Sequence, residues 1–181
     1  MELLSEFYFT NQLLQSEFCA ENFCFTMNFK QKIPKICLIL DNFGPFFGNK
    51  KGILPLWCLM VFEKMNLGLV IEPKWLKTKW LKKKIFLEIE EENLEYIPRN
   101  YFETIYIFHK HKLFNLDTCS NQLLLIEELF WIRINKLTTG LLMLRVPIRT
   151  IKLKFLGNME LINLRKILQI QLHAINIVNL I

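Results

Sequence analysis

Five carboxylates crowd one short segment and are the residues most able to do chemistry: Glu88, Glu90, Glu91, Glu92 and Glu95. Clustered carboxylates can ligate a metal ion or act as general acid and base. No histidine and no glycine-rich loop accompanies them, and adjacent residues of a helix point in different directions. We therefore expect a solvated acidic run that holds no metal and no cofactor.

Five cysteines form a second group: Cys19, Cys24, Cys37, Cys58 and Cys119. They are scattered, without a C-x-x-C pair or a nearby histidine, so their spacing does not predict a zinc site. We expect free, buried thiols. The sequence also lacks the P-loop, nucleophile-elbow, zincin and dinucleotide-binding motifs, which favours a protein that is not an enzyme.

A third group is basic, because residues 74–84 hold six lysines and two tryptophans. This composition is typical of an amphipathic helix that binds nucleic acid or an anionic membrane surface. The glutamates that follow oppose its charge, and Leu76, Trp80, Leu87 and Ile89 suit a core-facing side. We favour a solvated face of mixed charge, and nucleic-acid binding through Lys74–Lys84 is the alternative.

The composition of the 181 residues limits the class of protein. A hydrophobic fraction of 52% with 22% charged residues excludes a disordered chain. The excess of Lys, Ile, Phe and Asn is typical of AT-rich codons, so the net charge of +6 is weak evidence for a nucleic-acid partner. The longest uncharged stretch, Ile167–Ile181, is too short and too polar to span a membrane. With no secretory signal visible, we expect a soluble, intracellular protein without a membrane partner.

The elements that must position these groups change in character near residue 55. Before it, β-branched and aromatic runs at Phe23–Phe29 and Ile36–Leu40 predict strands, and Gly44-Pro45 predicts a turn. After it, apolar residues recur at helical spacing. The predicted units are an N-terminal extension over residues 1–16, a small β-rich domain over 17–54 and a helical domain over 55–181. The predicted fold class is α+β, mainly α.

The helical domain is predicted to be a bundle of about five helices. Their predicted starts are Pro55, Lys74, Tyr101, Asp117 and Asn158. We expect the second helix to run to Glu92 and the longest, the fourth, to stop before Gly140. An apolar stripe on that longest helix leaves Arg133 and Lys136 largely off it. The stripe comprises Leu123, Ile126, Phe130, Ile134 and Leu137.

Several motifs, taken in order, resemble a known family. They are Glu17–Glu21 (E-F-C-A-E), Ile36–Phe46 ending in G-P-F, Pro55–Trp57 (P-L-W), Pro73–Trp75 (P-K-W), Tyr101–Glu103 (Y-F-E) and Arg133–Leu137 (R-I-N-K-L). In order and spacing they resemble the second "partner of Sld five" subunit of the eukaryotic GINS DNA replication complex. The resemblance covers the chain from Glu17 to its C-terminus.

The resemblance implies a small β domain followed by an A-type helical domain, and a role without catalysis. Such a protein is a structural subunit of the GINS heterotetramer, required for initiation and fork progression of chromosomal replication in the nucleus. Its implied partners are the three other GINS subunits, the MCM helicase ring and its Cdc-type cofactor, with DNA contacted indirectly. The candidate motif and interface residues are Gly44, Pro45, Phe46, Pro55, Leu56, Trp57, Pro73, Trp75, Tyr101, Phe130, Arg133 and Lys136.

Overall fold

A computed structural model describes residues 2–39, 41–113, 120–142 and 155–178 of the chain. The helices are α1 (Glu2–Glu21), α2 (Leu56–Lys64), α3 (Thr78–Glu90), α4 (Tyr101–Lys110), α5 (Ser120–Leu142) and α6 (Asn158–Val178). The strands are β1 (Cys24–Phe29), β2 (Ile36–Cys37), β3 (Asn42–Phe43), β4 (Lys51–Pro55) and β5 (Gly68–Val70). Helices dominate and the sheets are small, so the predicted α+β, mainly α class is confirmed.

The larger sheet has three strands in the order β4-β1-β5, and both outer strands run antiparallel to β1. Helix α2 connects the two outer strands and packs on the sheet, which makes a β-α-β crossover split by β1. The alternation of β1 turns Met27 and Phe29 inward, where both are buried. β5 (Gly68–Val70) thus belongs to this sheet, although it lies beyond residue 54, the predicted end of the β-rich domain.

Helix α1 occupies the N-terminal segment as far as Glu21, across the predicted boundary at residue 17. It packs against α4 and α6. Ala20 of α1 is fully buried, and Ser16 donates a hydrogen bond to Glu103 of α4 over 2.8 Å. The segment expected to be an extension is thus a helix tied to the helical part of the chain.

Three predicted element boundaries need correction. The basic segment is a 3₁₀ turn, Lys74–Leu76, followed by α3, because Lys77 adopts an extended conformation with ψ of 137°. Helix α5 continues through Gly140 to Leu142, since a glycine weakens a helix without ending it. Of the described residues in the strand expected over Ile36–Leu40, only Ile36 and Cys37 form a strand, β2. Asp117, the predicted N-cap of α5, lies outside the described residues.

Gly52 of β4 and Gly140 of α5 form a matched test of the packing. A Cβ on Gly52 would lie 2.6 Å from the Phe29 ring and 2.8 Å from the Phe46 ring, whereas one on Gly140 would meet nothing within 4 Å. Gly52→Ala should lower the free energy of unfolding by about 1–3 kcal/mol through overpacking. Gly140→Ala should raise it by roughly 0.5–1 kcal/mol. Urea unfolding followed by circular dichroism measures both, and equal midpoints for the two variants would contradict this packing.

Candidate functional site

Arg133 is the centre of a charge cluster, and its side chain has no exposed surface. Its guanidinium has five N–H donors, and five acceptors surround it. They are Glu160 Oε1 at 2.5 Å, Glu160 Oε2 at 3.2 Å, Glu88 Oε2 at 3.0 Å, the Glu95 carbonyl at 2.8 Å and the Phe155 carbonyl at 2.7 Å. Arg133 on α5 therefore binds the end of α3, the segment after it and the start of α6.

Lys136, one helical turn after Arg133, completes the cluster. Its ammonium donates to Glu88 Oε1 at 3.2 Å and to the carbonyls of Glu88, Glu91 and Asn93 at 2.5, 2.7 and 3.2 Å. Carbonyls at the C-terminus of a helix lack partners within the helix and carry partial negative charge, so a cation there is stabilising. Lys136 thus fixes the end of α3 against α5.

The cluster balances its formal charges, because Arg133 and Lys136 face Glu88 and Glu160. Burial by itself lowers the pKa of Arg133, but the hydrogen bonds and charges of Glu160 and Glu88 outweigh burial and raise that pKa above its ordinary value. Nearby, a hydrogen bond and the charge of Lys84 lower the pKa of Glu95. The guanidinium stays charged although it is out of contact with water.

Two sequence-based expectations are wrong at this cluster. Glu88 is completely buried, although we predicted a solvated acidic run, and Arg133 belongs to the core although we predicted it to lie off the apolar stripe. Arg133 therefore presents no side-chain surface to a partner. The sequence carried a usable signal, since Glu88 follows the buried Leu81 and Ile85 at the spacing of one helix face. Glu160 had no comparable signal.

A second buried carboxylate, Glu103 of the Y-F-E motif, joins α1, α4 and α6. Its Oε1 accepts from Ser16 Oγ at 2.8 Å and from the backbone N–H of Met159 at 2.6 Å. The second contact satisfies an amide in the first turn of α6, where a negative charge is favourable. Its Oε2 has no hydrogen-bond partner within the described residues.

Aromatic residues from separate motifs meet in the core. The ring of Trp75 stacks on Phe108 with a centroid distance of 6.1 Å and meets Tyr101 edge-on at 5.1 Å. The Tyr101 hydroxyl also donates to the Trp75 carbonyl, and burial raises its pKa. Phe130 of α5 meets Phe102 at 5.0 Å. Trp75 and Phe130 are half-buried, so these candidate interface residues pack largely within the chain itself.

The G-P-F and P-L-W motifs lie on the β-rich part. Gly44 has a φ of +86°, which favours glycine, and Phe46 stacks on Phe29 at 4.2 Å. We expected Pro55 to be the first helical residue of α2. It is instead the N-cap of α2 and has an extended conformation. Leu56 is fully buried, whereas Trp57 is half-buried against Phe43. The remaining motif prolines differ in exposure: Pro45 is exposed, and Pro73 is half-buried ahead of the 3₁₀ turn.

The lysine-rich segment has five exposed lysines: Lys74, Lys77, Lys79, Lys82 and Lys83. The sixth, Lys84, is only 14% exposed and pairs with Glu95 at 2.7 Å. The expected core-facing side is correct for Leu76 but wrong for Ile89, which is 61% exposed. Phe86 is equally exposed, so α3 presents lysines together with two large apolar side chains.

The cysteines differ from the expectation of buried thiols. Cys58 is buried, and burial raises its pKa, but Cys19, Cys24 and Cys37 are exposed. Cys119 lies outside the described residues. All four described cysteines are free.

Other chemistry is sparse in the part of the chain that the structure describes. No group of three or more His, Cys, Asp or Glu residues there is arranged to hold a metal ion, and no helix there is long and apolar enough to cross a membrane. A groove of about 260 Å³ between α1 and α6 includes Ser16, Cys19, Asn158 and Arg165 in its lining. The buried charges thus position helices, and we assign no catalytic step to them.

Neither the protein-family models nor the curated proteins include a match to the chain. Its family is therefore proposed below from the motifs and from the places they occupy.

Arg133→Met should destabilise the protein strongly, because it leaves the buried Glu160 carboxylate without its cation and Glu88 with Lys136 alone. The expected loss is about 3–5 kcal/mol of unfolding free energy. Arg165→Met is the matched control, since Arg165 is exposed and its loss should change stability by less than about 0.5 kcal/mol. Urea unfolding measures both variants. Similar midpoints for the two would show that the cluster does not hold the helices together.

Proposed function

We propose that this chain is a non-catalytic structural subunit of a GINS-type heterotetramer. The observation that carries the proposal is the ordered set of motifs, Glu17–Glu21 through Arg133–Leu137. Residues of different motifs are far apart in sequence, yet some of them contact one another in the fold. Trp75 meets Tyr101 and Phe43 meets Trp57, so two pairs of motifs are in direct contact, and the Arg and Lys of R-I-N-K-L both bind the buried carboxylate of Glu88. Motifs that make one another's contacts support a common fold for the whole set.

The distribution of apolar residues supports a scaffold role. Sixteen large hydrophobic residues are exposed in the described part of the chain. Leu124 and Trp131 lie seven residues apart on α5, are 62% and 60% exposed, and so share one outward face. Exposed aromatic and aliphatic residues on one face are typical of subunit interfaces. The proposed partners are the three sister subunits, then the MCM ring and its Cdc-type cofactor, in the nucleus.

Assembly tests this proposal directly. Co-expression of the chain with its three sister subunits should yield a 1:1:1:1 complex, measured by native mass spectrometry. The double variant Leu124→Glu, Trp131→Glu should lose assembly while its helical circular dichroism spectrum is retained, because both side chains are exposed. Lys64→Glu is the control, since Lys64 is exposed on α2 and belongs to neither the motifs nor the exposed apolar residues. A chain that remains a well-behaved monomer beside its sisters would refute the proposal.

Nucleic-acid binding by α3 is the second candidate function, and one observation favours it. The glutamates expected to offset the lysines are partly unavailable, because Glu88 is buried and Glu95 pairs with Lys84. Glu90, Glu91 and Glu92 stay exposed at the far end of the segment. Lys83 lies seven residues before Glu90, or about 10 Å along the helix axis, and charges are screened over about 8 Å at physiological salt. The positive potential around Lys82 and Lys83 is therefore not cancelled by the exposed glutamates.

Charge reversal tests the second candidate. Lys82→Glu with Lys83→Glu should weaken binding of a labelled 20-base-pair DNA duplex in fluorescence anisotropy. It should also reduce the slope of log affinity against log salt by about 1.8, because each phosphate contact contributes about 0.9. Lys64→Glu, an exposed reversal on α2, should leave the slope unchanged. Absence of salt-dependent binding by the unmodified chain would remove this candidate.

A further inference from the structure

A separate basic surface lies on the β-rich part of the chain, away from α3 in sequence. We name Lys32, Phe47 and Lys50 the Lys-Phe-Lys patch. Phe47 is 46% exposed, and the ammonium nitrogens of Lys32 and Lys50 lie 5.9 and 5.3 Å from its ring centroid. A cation near an aromatic face is attracted by the ring, so one exposed ring gathers two cations.

The backbone beneath the patch is held by hydrogen bonds. Ile33 and Phe46 exchange two of 2.9 Å, which sets Lys32 beside Phe47 on neighbouring segments. The Asn49 N–H donates to the Phe29 carbonyl at 2.7 Å, and the Lys50 N–H donates to the Phe47 carbonyl at 3.2 Å. Both lysines therefore project from fixed positions, which reduces the entropy lost when a ligand binds.

The charge of this surface is uncompensated. From residue 22 to residue 62 the sequence holds five lysines and one carboxylate, Asp41. The lysines are all exposed: Lys30, Lys32, Lys35, Lys50 and Lys51. Lys30 donates to the Asn66 side chain, and among the described residues no carboxylate pairs with Lys32 or Lys50. The repulsion between the two ammonium groups beside the Phe47 ring would be reduced by an anionic ligand.

We propose that the Lys-Phe-Lys patch binds an extended acidic segment of a partner protein, with two carboxylates flanking one apolar side chain at alternate positions. The two ammonium nitrogens are at most about 11 Å apart, because each lies within 6 Å of the same centroid. Carboxylates four residues apart in a strand are separated by about 13 Å. At the upper limit of the ammonium separation, ion pairs of about 3 Å at each end reach carboxylates with this spacing. The central apolar side chain then contacts the rim of the Phe47 ring and leaves both ammonium groups in place.

Single-stranded nucleic acid fits this surface less well. Such ligands stack their bases on free aromatic faces. Here both lysines lie over the Phe47 ring, so a base could stack there only by displacing a cation, whereas carboxylates pair with the ammonium groups where they already lie. The patch consists of this chain's own residues, so its binding of an acidic segment does not require any particular complex.

The test is fluorescence anisotropy of the full chain with a labelled nonapeptide whose core is Glu-Thr-Leu-Thr-Glu. A second peptide with both Glu replaced by Gln is the ligand control. Lys32→Glu with Lys50→Glu should weaken binding by about tenfold or more, because two surface ion pairs become repulsive contacts. Phe47→Ala should weaken it about threefold through loss of the apolar contact.

The matched control variant is Lys35→Glu with Lys51→Glu, which changes the net charge of the same region equally without touching the Phe47 ring. It should retain affinity within about threefold, since its effect is long-range and screened. Equal losses in the two double variants would overturn the proposal in favour of bulk charge, and equal binding of the Gln peptide would also overturn it. Preferential loss of binding to a dT 12-mer in the Lys32, Lys50 variant would identify a nucleic-acid surface instead.

Discussion

The helical part of the fold depends on one constraint, the burial of the Arg133 guanidinium. A buried charge is tolerated only when it is paired and its donors are satisfied, and this one has five donors. No single element can supply five acceptors at once. The end of α3, the segment after it, Phe155 and the start of α6 must therefore all reach α5. Any arrangement of these helices that leaves one acceptor away from Arg133 exposes the full cost of an unmet hydrogen bond.

Local patterns predicted the elements better than their contacts. β1 and α4 appear where alternation and helical periodicity place them, because those patterns are properties of short segments. The burial of Arg133, Glu88 and Glu160 was not predicted, since charged residues are assigned to the surface by default. Their partners are 27 and 45 residues away in sequence, a pairing that no short window contains. The register of Glu88 with Leu81 and Ile85 was the one local sign.

Counting charges along the sequence misjudged the surface for the same reason. The sum over residues 74–95 treats every glutamate as available to the lysines. Glu88 pairs with Arg133 and Lys136, and Glu95 pairs with Lys84. The surface near Lys82 and Lys83 is therefore more positive than the summed charge suggests. The β-rich part shows the complementary case, because there the sequence itself contains almost no acid to oppose its lysines. The surface charge therefore depends on which charged side chains are buried or paired within the chain.

The placement of charged and apolar side chains is relevant to the function of the chain. Ionisable residues that could have formed a reactive centre are instead neutralised in pairs, with their hydrogen bonds directed at helix ends and backbone carbonyls. Meanwhile Leu124, Trp131 and Phe86 remain outside the core and are more than half exposed. A protein that uses its charges for internal geometry and leaves large apolar side chains exposed is suited to being held by other chains. This distribution of charged and apolar residues supports the proposed scaffold role, and the motif resemblance is the basis for proposing a GINS-type complex.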